Sequence, residues 1–168
     1  RAVNIALVNE FARLCDASGL DVTEVIDAAK TKWSYHAHYP GIGVGGHCIP
    51  VDPYYLVEYA KQKNIPLSLV STGLHENEEM AGYVLNKLRS VYKKGMRVLV
   101  YGLAYKKNVK DIRESPAIVF CQLLKKQSIP FSVYDPFLSK KEIHDLGFEA
   151  GTVSAVDMLV VGTDHNQL

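Results

Sequence analysis

The residues of this chain best suited to covalent chemistry lie in one segment, Gly41-Ile-Gly-Val-Gly-Gly-His-Cys-Ile-Pro-Val-Asp-Pro53. Gly41, Gly43, Gly45 and Gly46 strip side chains from the approach to Cys48. A backbone without Cβ atoms admits a ligand or another backbone at close range. A cysteine is nucleophilic as the thiolate, which needs access and neighbouring donors. His47 adjoins Cys48, and Asp52 lies close enough in sequence to orient a water or relay a proton. These features mark Cys48 as a catalytic nucleophile and Asp52 as its partner. The competing reading of Cys48 is a small buried hydrophobe, a common fate of free cysteines. Asp52, just before Pro53, also suits a helix N-cap. His36, His38, His47 and Cys48 together invite a zinc reading, but their spacing fits no closed structural site, and no metal is expected. Trp33, Tyr35 and Tyr39 could line a sugar pocket or pack against a core.

A second candidate is the loop Gly102-Leu-Ala-Tyr-Lys-Lys-Asn-Val-Lys-Asp-Ile-Arg-Glu114. It exceeds the roughly 2–6 residues usual between a strand and a helix. It carries Lys106, Lys107, Lys110 and Arg113, and Asp111 and Glu114 offset half of that charge. Such cations ahead of a helix suit a phosphate group. The alternative is a solvated charged loop. The segment is not a G-x-G-x-x-G fingerprint, so it gives no evidence of a dinucleotide.

The elements that must position these residues fall into two halves. Val3, Leu7, Phe11 and Leu14 recur at helical spacing, and Gly19 ends that helix. Asp21 and Glu24 have capping-box spacing ahead of a helix lined by Val22, Val25, Ile26 and Ala29. Asp52-Pro53 starts a third helix through Lys63, and Asn64-Ile65-Pro66 breaks it. A long helix runs from Ser68 to Lys93, with Leu74, Asn77, Met80, Val84, Leu88 and Val91 on its repeating face. Lys93-Lys94-Gly95 marks a boundary between domains 1–94 and 95–168. Beyond it the pattern is strand 96–101, a helix capped by Ser115 with Pro116 in its first turn, strand 131–134, a short helix 139–146, and a buried strand 157–161. This alternation implies a parallel sheet flanked by helices, whose ligands bind beyond the carboxyl ends of the strands. The long basic loop lies there. Cys15 and Cys121 sit on apolar helix faces and read as core.

Whole-chain properties narrow the class. The 168 residues are 48% hydrophobic and 22% charged, as in a globular protein. A net charge of +1 gives no global pull toward nucleic acid or an anionic membrane. No apolar run reaches the roughly 18 residues needed to cross a bilayer. Three cysteines without disulfide or metal-knuckle spacing fit a reducing, cytoplasmic setting. The chain begins with Arg1, inside an expected helix, and reads as a fragment of a longer protein.

Taken together, Val3–Phe11, Pro40–Leu56 and Tyr101–Ala117, with Tyr134-Asp-Pro136 and Thr163-Asp-His165, resemble the UDP-glucose/GDP-mannose 6-dehydrogenase family. Gly45-Gly-His-Cys-Ile-Pro-Val-Asp-Pro53 is similar to the UDP-N-acetylhexosamine branch. The resemblance implies an all-α central dimerisation domain followed by a truncated α/β, Rossmann-like UDP-binding domain, with the NAD-binding domain absent. It also implies that a Lys and an Asn used by the family fall upstream of Arg1. The implied activity is NAD-dependent oxidation of a UDP-sugar to the uronic acid through a Cys48 thiohemiacetal and thioester, for surface polysaccharide or glycan precursor synthesis. UDP-N-acetylglucosamine is the first expectation for the substrate, with UDP-N-acetylmannosamine or UDP-glucose as alternatives. By the same resemblance, Gly43, Val44, Gly45, Tyr105 and Lys106 contact the UDP-sugar, Arg113 the cofactor, and the partners are the substrate and a second copy of the chain. The family's basic residue before the glycine turn is replaced by the Trp33–His38 stretch. The fragment alone is expected to be inactive. An alternative of another class is a non-catalytic nucleotide-binding or dimerisation module.

Overall fold

A computed structural model describes residues 1–154 and 156–167; Ala155 and Leu168, inside the expected second domain, lie outside the described residues. Helix α1 (Ala2–Ser18) ends at Gly19, which takes the left-handed conformation (φ 68°). Its buried face is Ala2, Ala6, Val8, Asn9 and Cys15, packed on α4 (Ser68–Val91). The larger apolar residues of the stripe, Leu7, Phe11 and Leu14, point outward and are 47%, 40% and 65% exposed. Small residues face α4 because the two helices approach closely. A Cβ added at Gly73 of α4 would lie 3.3 Å from Val3. Helix α2 (Val22–Ala29) is capped by Asp21, whose carboxylate accepts from the Thr23 N–H at 2.7 Å. The expected reciprocal box with Glu24 is replaced by this shorter turn. Of its apolar face only Ile26 is buried.

Helix α3 (Asp52–Gln62) has Val51, not Asp52, at its N-cap position; Asp52 is the first helical residue, ahead of Pro53. Along α4, Leu74, Asn77, Met80 and Leu88 are buried as the periodicity requires. The helix stops at Val91, which is 60% exposed, two residues short of the expected Lys93.

Strand β1 (Val98–Tyr101) is fully buried and pairs in parallel with β2 (Phe131–Tyr134) and β3 (Met158–Val161), in the order β2-β1-β3. Ala150 forms a single parallel bridge to Val133 on the outer side of β2, an element too short to be visible in the sequence pattern. The expectation of a buried third strand is corrected. Among the described residues β3 lies at the edge of the sheet and its residues alternate, with Leu159 and Val161 about 40% exposed. A parallel strand with one uncovered face shows alternation instead of continuous burial. Helix α5 (Pro116–Lys126) buries Ala117, Phe120, Cys121 and Leu124 against the sheet. Helix α6 (Lys140–Asp145) opens with a complete capping box between Ser139 and Glu142. Ile42, Ala81, Leu85 and Leu88 of the helical half share one continuous apolar cluster with Val98, Val100, Phe120 and Val133 of the sheet half. No helix among the described residues is long and apolar enough to cross a membrane.

Phe120 is fully buried at the centre of that cluster. Phe120→Ala is expected to cost about 3–5 kcal/mol, from lost burial and the cavity left behind. Urea unfolding checks this, and a change below about 1 kcal/mol would contradict a single continuous core. A second expectation concerns Glu142, whose carboxyl is pulled from 4.5 down to about 2, first by the hydrogen bond from Lys110 and then by those from Ser139. Its folded value lies below the unfolded one. The ionised contact is therefore fully present above pH 4.5 and is lost as the pH falls toward about 2. NMR titration of Lys110→Met should move the Glu142 midpoint upward, and an unmoved midpoint would contradict the assigned cause.

Candidate functional site

Cys48 is exposed, whereas Cys15 and Cys121 are buried. Burial pushes the Cys121 thiol up to about 12, so it is inert. The Cys48 carbonyl accepts from the Val51 N–H at 3.2 Å and the Asp52 N–H at 2.9 Å, one turn ahead of α3. Those two bonds anchor the thiol-bearing residue at the N-terminal end of α3.

The glycines ahead of Cys48 are required by contact with the second half of the chain. A Cβ at Gly45 would fall 2.6 Å from the Tyr105 Cβ and 2.8 Å from the Glu114 carbonyl oxygen. Gly46, at φ 94°, lies under the Tyr105 ring and donates its N–H to the Arg113 carbonyl at 3.0 Å. Only glycine combines this backbone conformation with so close an approach. The turn is thereby docked onto the basic loop, and a cleft of about 500 Å³ opens between them.

That cleft brings together Gly43, Val44, Gly45, Cys48, Tyr105, Lys106 and Arg113. Asp52 is exposed and is not among the residues lining it. Tyr39 lines the cleft; Trp33 is 88% exposed and does not. Ile5 of α1 and Arg1 at its N-cap complete the wall, a contribution that nothing in their local pattern signals. The cations lining the cleft are Arg1, Lys106 and Arg113, and among the described residues no carboxylate lines it.

The cations of the basic loop do not act as one cluster. Lys107 pairs with Asp164 at 3.1 Å and Lys110 with Glu142 at 2.6 Å. Asp111 holds Arg113 through Nε at 3.0 Å and Nη2 at 2.6 Å. That clamp lowers the Asp111 carboxyl and binds the Arg113 proton more tightly, with Tyr105 and Cys48 adding smaller electrostatic contributions. Lys106 has no carboxylate within ion-pair distance among the described residues. It also lines a second cleft, of about 300 Å³, beyond the carboxyl ends of β1 and β3, with Ser115 and Thr163. Ser115 occupies the N-cap position of α5, but its buried hydroxyl makes no capping bond and has no hydrogen-bond partner among the described residues.

The loop's backbone is fixed from beneath. The buried Asp135 carboxylate accepts from the Leu103 and Ala104 N–H groups at 2.7 and 3.0 Å and from Phe137 N–H at 2.8 Å. His165 Nδ1 accepts from the Asn108 N–H at 2.9 Å, which leaves Nε2 to face Asp135 at 3.4 Å. Among the described residues no group of three or more His, Cys, Asp or Glu side chains could hold a metal ion.

Both halves of the chain match models of known protein families. Residues 1–79 match the central domain of the UDP-glucose/GDP-mannose dehydrogenase family, and residues 99–168 match its UDP binding domain. A UDP-N-acetyl-D-mannosamine dehydrogenase of Methanococcus vannielii is 38% identical over 99% of this chain and 39% of its own length. A UDP-N-acetyl-D-glucosamine 6-dehydrogenase of Pseudomonas aeruginosa is 35% identical over 99% of this chain and 42% of its own. Among solved structures, the UDP-D-ManNAc dehydrogenase of Pyrococcus horikoshii superposes with a TM-score of 0.81 at 35% identity, over 99% of this chain and 40% of that one. A UDP-glucose dehydrogenase of Pyrobaculum islandicum gives 0.86 at 28% identity, over 99% and 41%. The chain thus spans about two fifths of the length of these relatives. With both of its halves matched in their expected order, the chain belongs to the UDP-glucose/GDP-mannose dehydrogenase family.

Proposed function

We propose that this chain is the thiol-bearing and UDP-binding part of a NAD-dependent UDP-N-acetylhexosamine 6-dehydrogenase, divided at about residue 94 into a helical and an α/β domain. The observation that carries the reading is an exposed Cys48 in a cleft whose charged lining residues, among those described, are all cations. Lys106 and Tyr105 hold the UDP diphosphate, and Gly43, Val44 and Gly45 run along the sugar. Lys106 suits this role because it borders both clefts and, among the described residues, has no carboxylate partner. The Arg113 guanidinium suits the cofactor pyrophosphate, which would compete with Asp111 for its fork.

Bound NAD would supply the hydride acceptor for each of the two oxidations. The part played by this chain is covalent capture. Once the sugar C6 alcohol has become an aldehyde, the Cys48 thiolate adds its electron pair to the carbonyl carbon and the carbonyl oxygen takes a proton from water, giving a thiohemiacetal. Loss of hydride from that carbon, with the hydroxyl proton passing to water, leaves a thioester. Water then adds, the C–S bond breaks with its electrons returning to sulfur, and the carboxylic acid leaves. Capture divides a four-electron oxidation into manageable steps and retains the aldehyde. Asp52, placed outside the cleft wall on the first turn of α3, serves by positioning a base or water, without direct substrate contact.

UDP-N-acetylglucosamine is the first expectation for the substrate. The mannosamine epimer is the second reading, favoured by the 38% identity to the M. vannielii enzyme. A homodimer through the helical domain is supported by the outward stripe of Leu7, Phe11 and Leu14. A reducing, cytoplasmic setting suits a mechanism that depends on a free thiol.

Under native conditions iodoacetamide should modify Cys48 well before Cys15 or Cys121, as read by peptide mass spectrometry. Equal labelling of Cys121 would contradict the assigned exposure. In the full-length protein, Cys48→Ser should abolish acid formation while UDP-sugar binding survives, and the unmodified protein should yield two NADH per sugar. Full turnover by the variant, or one NADH per sugar, would overturn covalent capture. A screen of the N-acetylhexosamine epimers decides the sugar.

A further inference from the structure

Asn9 and Asn77 form a buried amide relay beneath the glycine turn. Asn9 is 0% and Asn77 8% exposed, on the facing sides of α1 and α4. Asn77 Nδ2 donates to the Ala2 carbonyl at 3.0 Å, and Asn9 Nδ2 donates to Asn77 Oδ1 at 3.0 Å. The remaining acceptor, Asn9 Oδ1, takes the N–H of Gly41 at 3.0 Å. The relay therefore ends on the first residue of the turn that carries Cys48. Asn77 also borders the turn with its own backbone, since a Cβ at Gly43 would lie 3.1 Å from the Asn77 carbonyl oxygen.

Two apolar residues would join α1 to α4 at lower desolvation cost, because a buried amide must find partners for both of its ends. What an apolar pair cannot supply is an acceptor of fixed position for a loop N–H. The other end of the turn is held by the Gly46 N–H to the Arg113 carbonyl. The segment between is rich in glycine and has little local stiffness of its own. Its position is thus set at two backbone N–H groups, one answered by the α/β half and one by Asn9.

We infer that Asn9, held in place by Asn77, is a positioning residue for the catalytic thiol, fixing the Gly41 end of the turn so that Cys48 stands over the substrate carbon. The inference rests on the proposal that Cys48 is the nucleophile of a sugar-nucleotide dehydrogenase.

The test uses the full-length protein and three variants. Asn9→Asp keeps an acceptor for the Gly41 N–H while losing the donor to Asn77. Asn9→Ala loses both, and Asn77→Ala removes the support and leaves the Gly41 bond. With UDP-N-acetylglucosamine or UDP-N-acetylmannosamine, whichever the protein turns over, Asn9→Ala should lower kcat by about 10–100-fold with a much smaller change in KM, as expected when reacting atoms are misplaced by a fraction of an ångström to an ångström. Its Cys48 alkylation rate should change as well. Asn9→Asp should recover most of kcat even where its thermal stability remains low, and Asn77→Ala should fall between them. A kcat per folded protein that tracks stability alone across the three variants, or Asn9→Ala with unchanged kcat, would overturn the inference. If Asn9→Ala does not fold, an Asn9→Asp variant as impaired in kcat as Asn77→Ala overturns it, and recovery in Asn9→Asp supports it. Failure of the underlying reading is distinguished by Cys48→Ser, which would then retain turnover.

Discussion

Everything at this site depends on two stretches of backbone coming closer than side chains allow. The glycine turn lies against Tyr105, Glu114 and Pro116, with approaches that a single Cβ would close off. One hydrogen bond, from Gly46 N–H to the Arg113 carbonyl, fixes the register of the contact. The thiol belongs to the helical half, whereas Tyr105, Lys106 and Arg113 belong to the α/β half. Without the docked turn, a cysteine on a surface loop and a partly neutralised basic loop would remain, with no cleft between them.

Helix α4 allows that docking to persist. It packs on α1, on α3 and on α5, and its Leu85 and Leu88 enter the same apolar cluster as Val98 and Phe120. The core crosses the boundary that the Lys93-Lys94-Gly95 break suggests. Relative motion of the halves would expose this shared surface, at about 25 cal/mol for each Å² of apolar area. The close backbone contact is therefore supported by burial some distance away, a sturdier arrangement than one hydrogen bond at a solvent-facing cleft.

Much of this was legible in the sequence, for identifiable reasons. Periodicity located the helices because each buries one face, and Gly19, Asn64-Ile65-Pro66 and Ser115-Pro116 are strong local punctuation. The glycine density before Cys48 signalled a close approach correctly, although the sequence could not say to what. The outward direction of Leu7, Phe11 and Leu14 was not legible, since periodicity reports a stripe but not which surface covers it. The partners of the basic loop were also hidden. Asp164 and Glu142 lie 57 and 32 positions from Lys107 and Lys110, and only the fold brings them near. Asn77 was visible as a member of an apolar face. Its relay through Asn9 to Gly41 required three segments to meet.

The pairing pattern also changes what the basic loop means. As a string it carries four cations and two carboxylates, which suggests a diffuse anion site. Folded, Lys107 and Lys110 tie the loop to Asp164 and to α6, and both pairs are solvent-exposed, so their energetic value is small and their effect is mainly geometric. Arg113 is aimed by its fork on Asp111, and an anion of better geometry could displace that partner. Among the described residues, Lys106 is the loop cation without a carboxylate partner, and it lines the cleft of the thiol and the cleft beyond the carboxyl ends of β1 and β3. The loop thus spends two cations on its own shape, lends one conditionally and presents one outright. A ligand with its negative charge in the middle and its reacting carbon at one end would meet Lys106 centrally and reach Cys48 at its tip. A sugar nucleotide has that distribution of charge and reactivity, with a diphosphate between the base and the sugar.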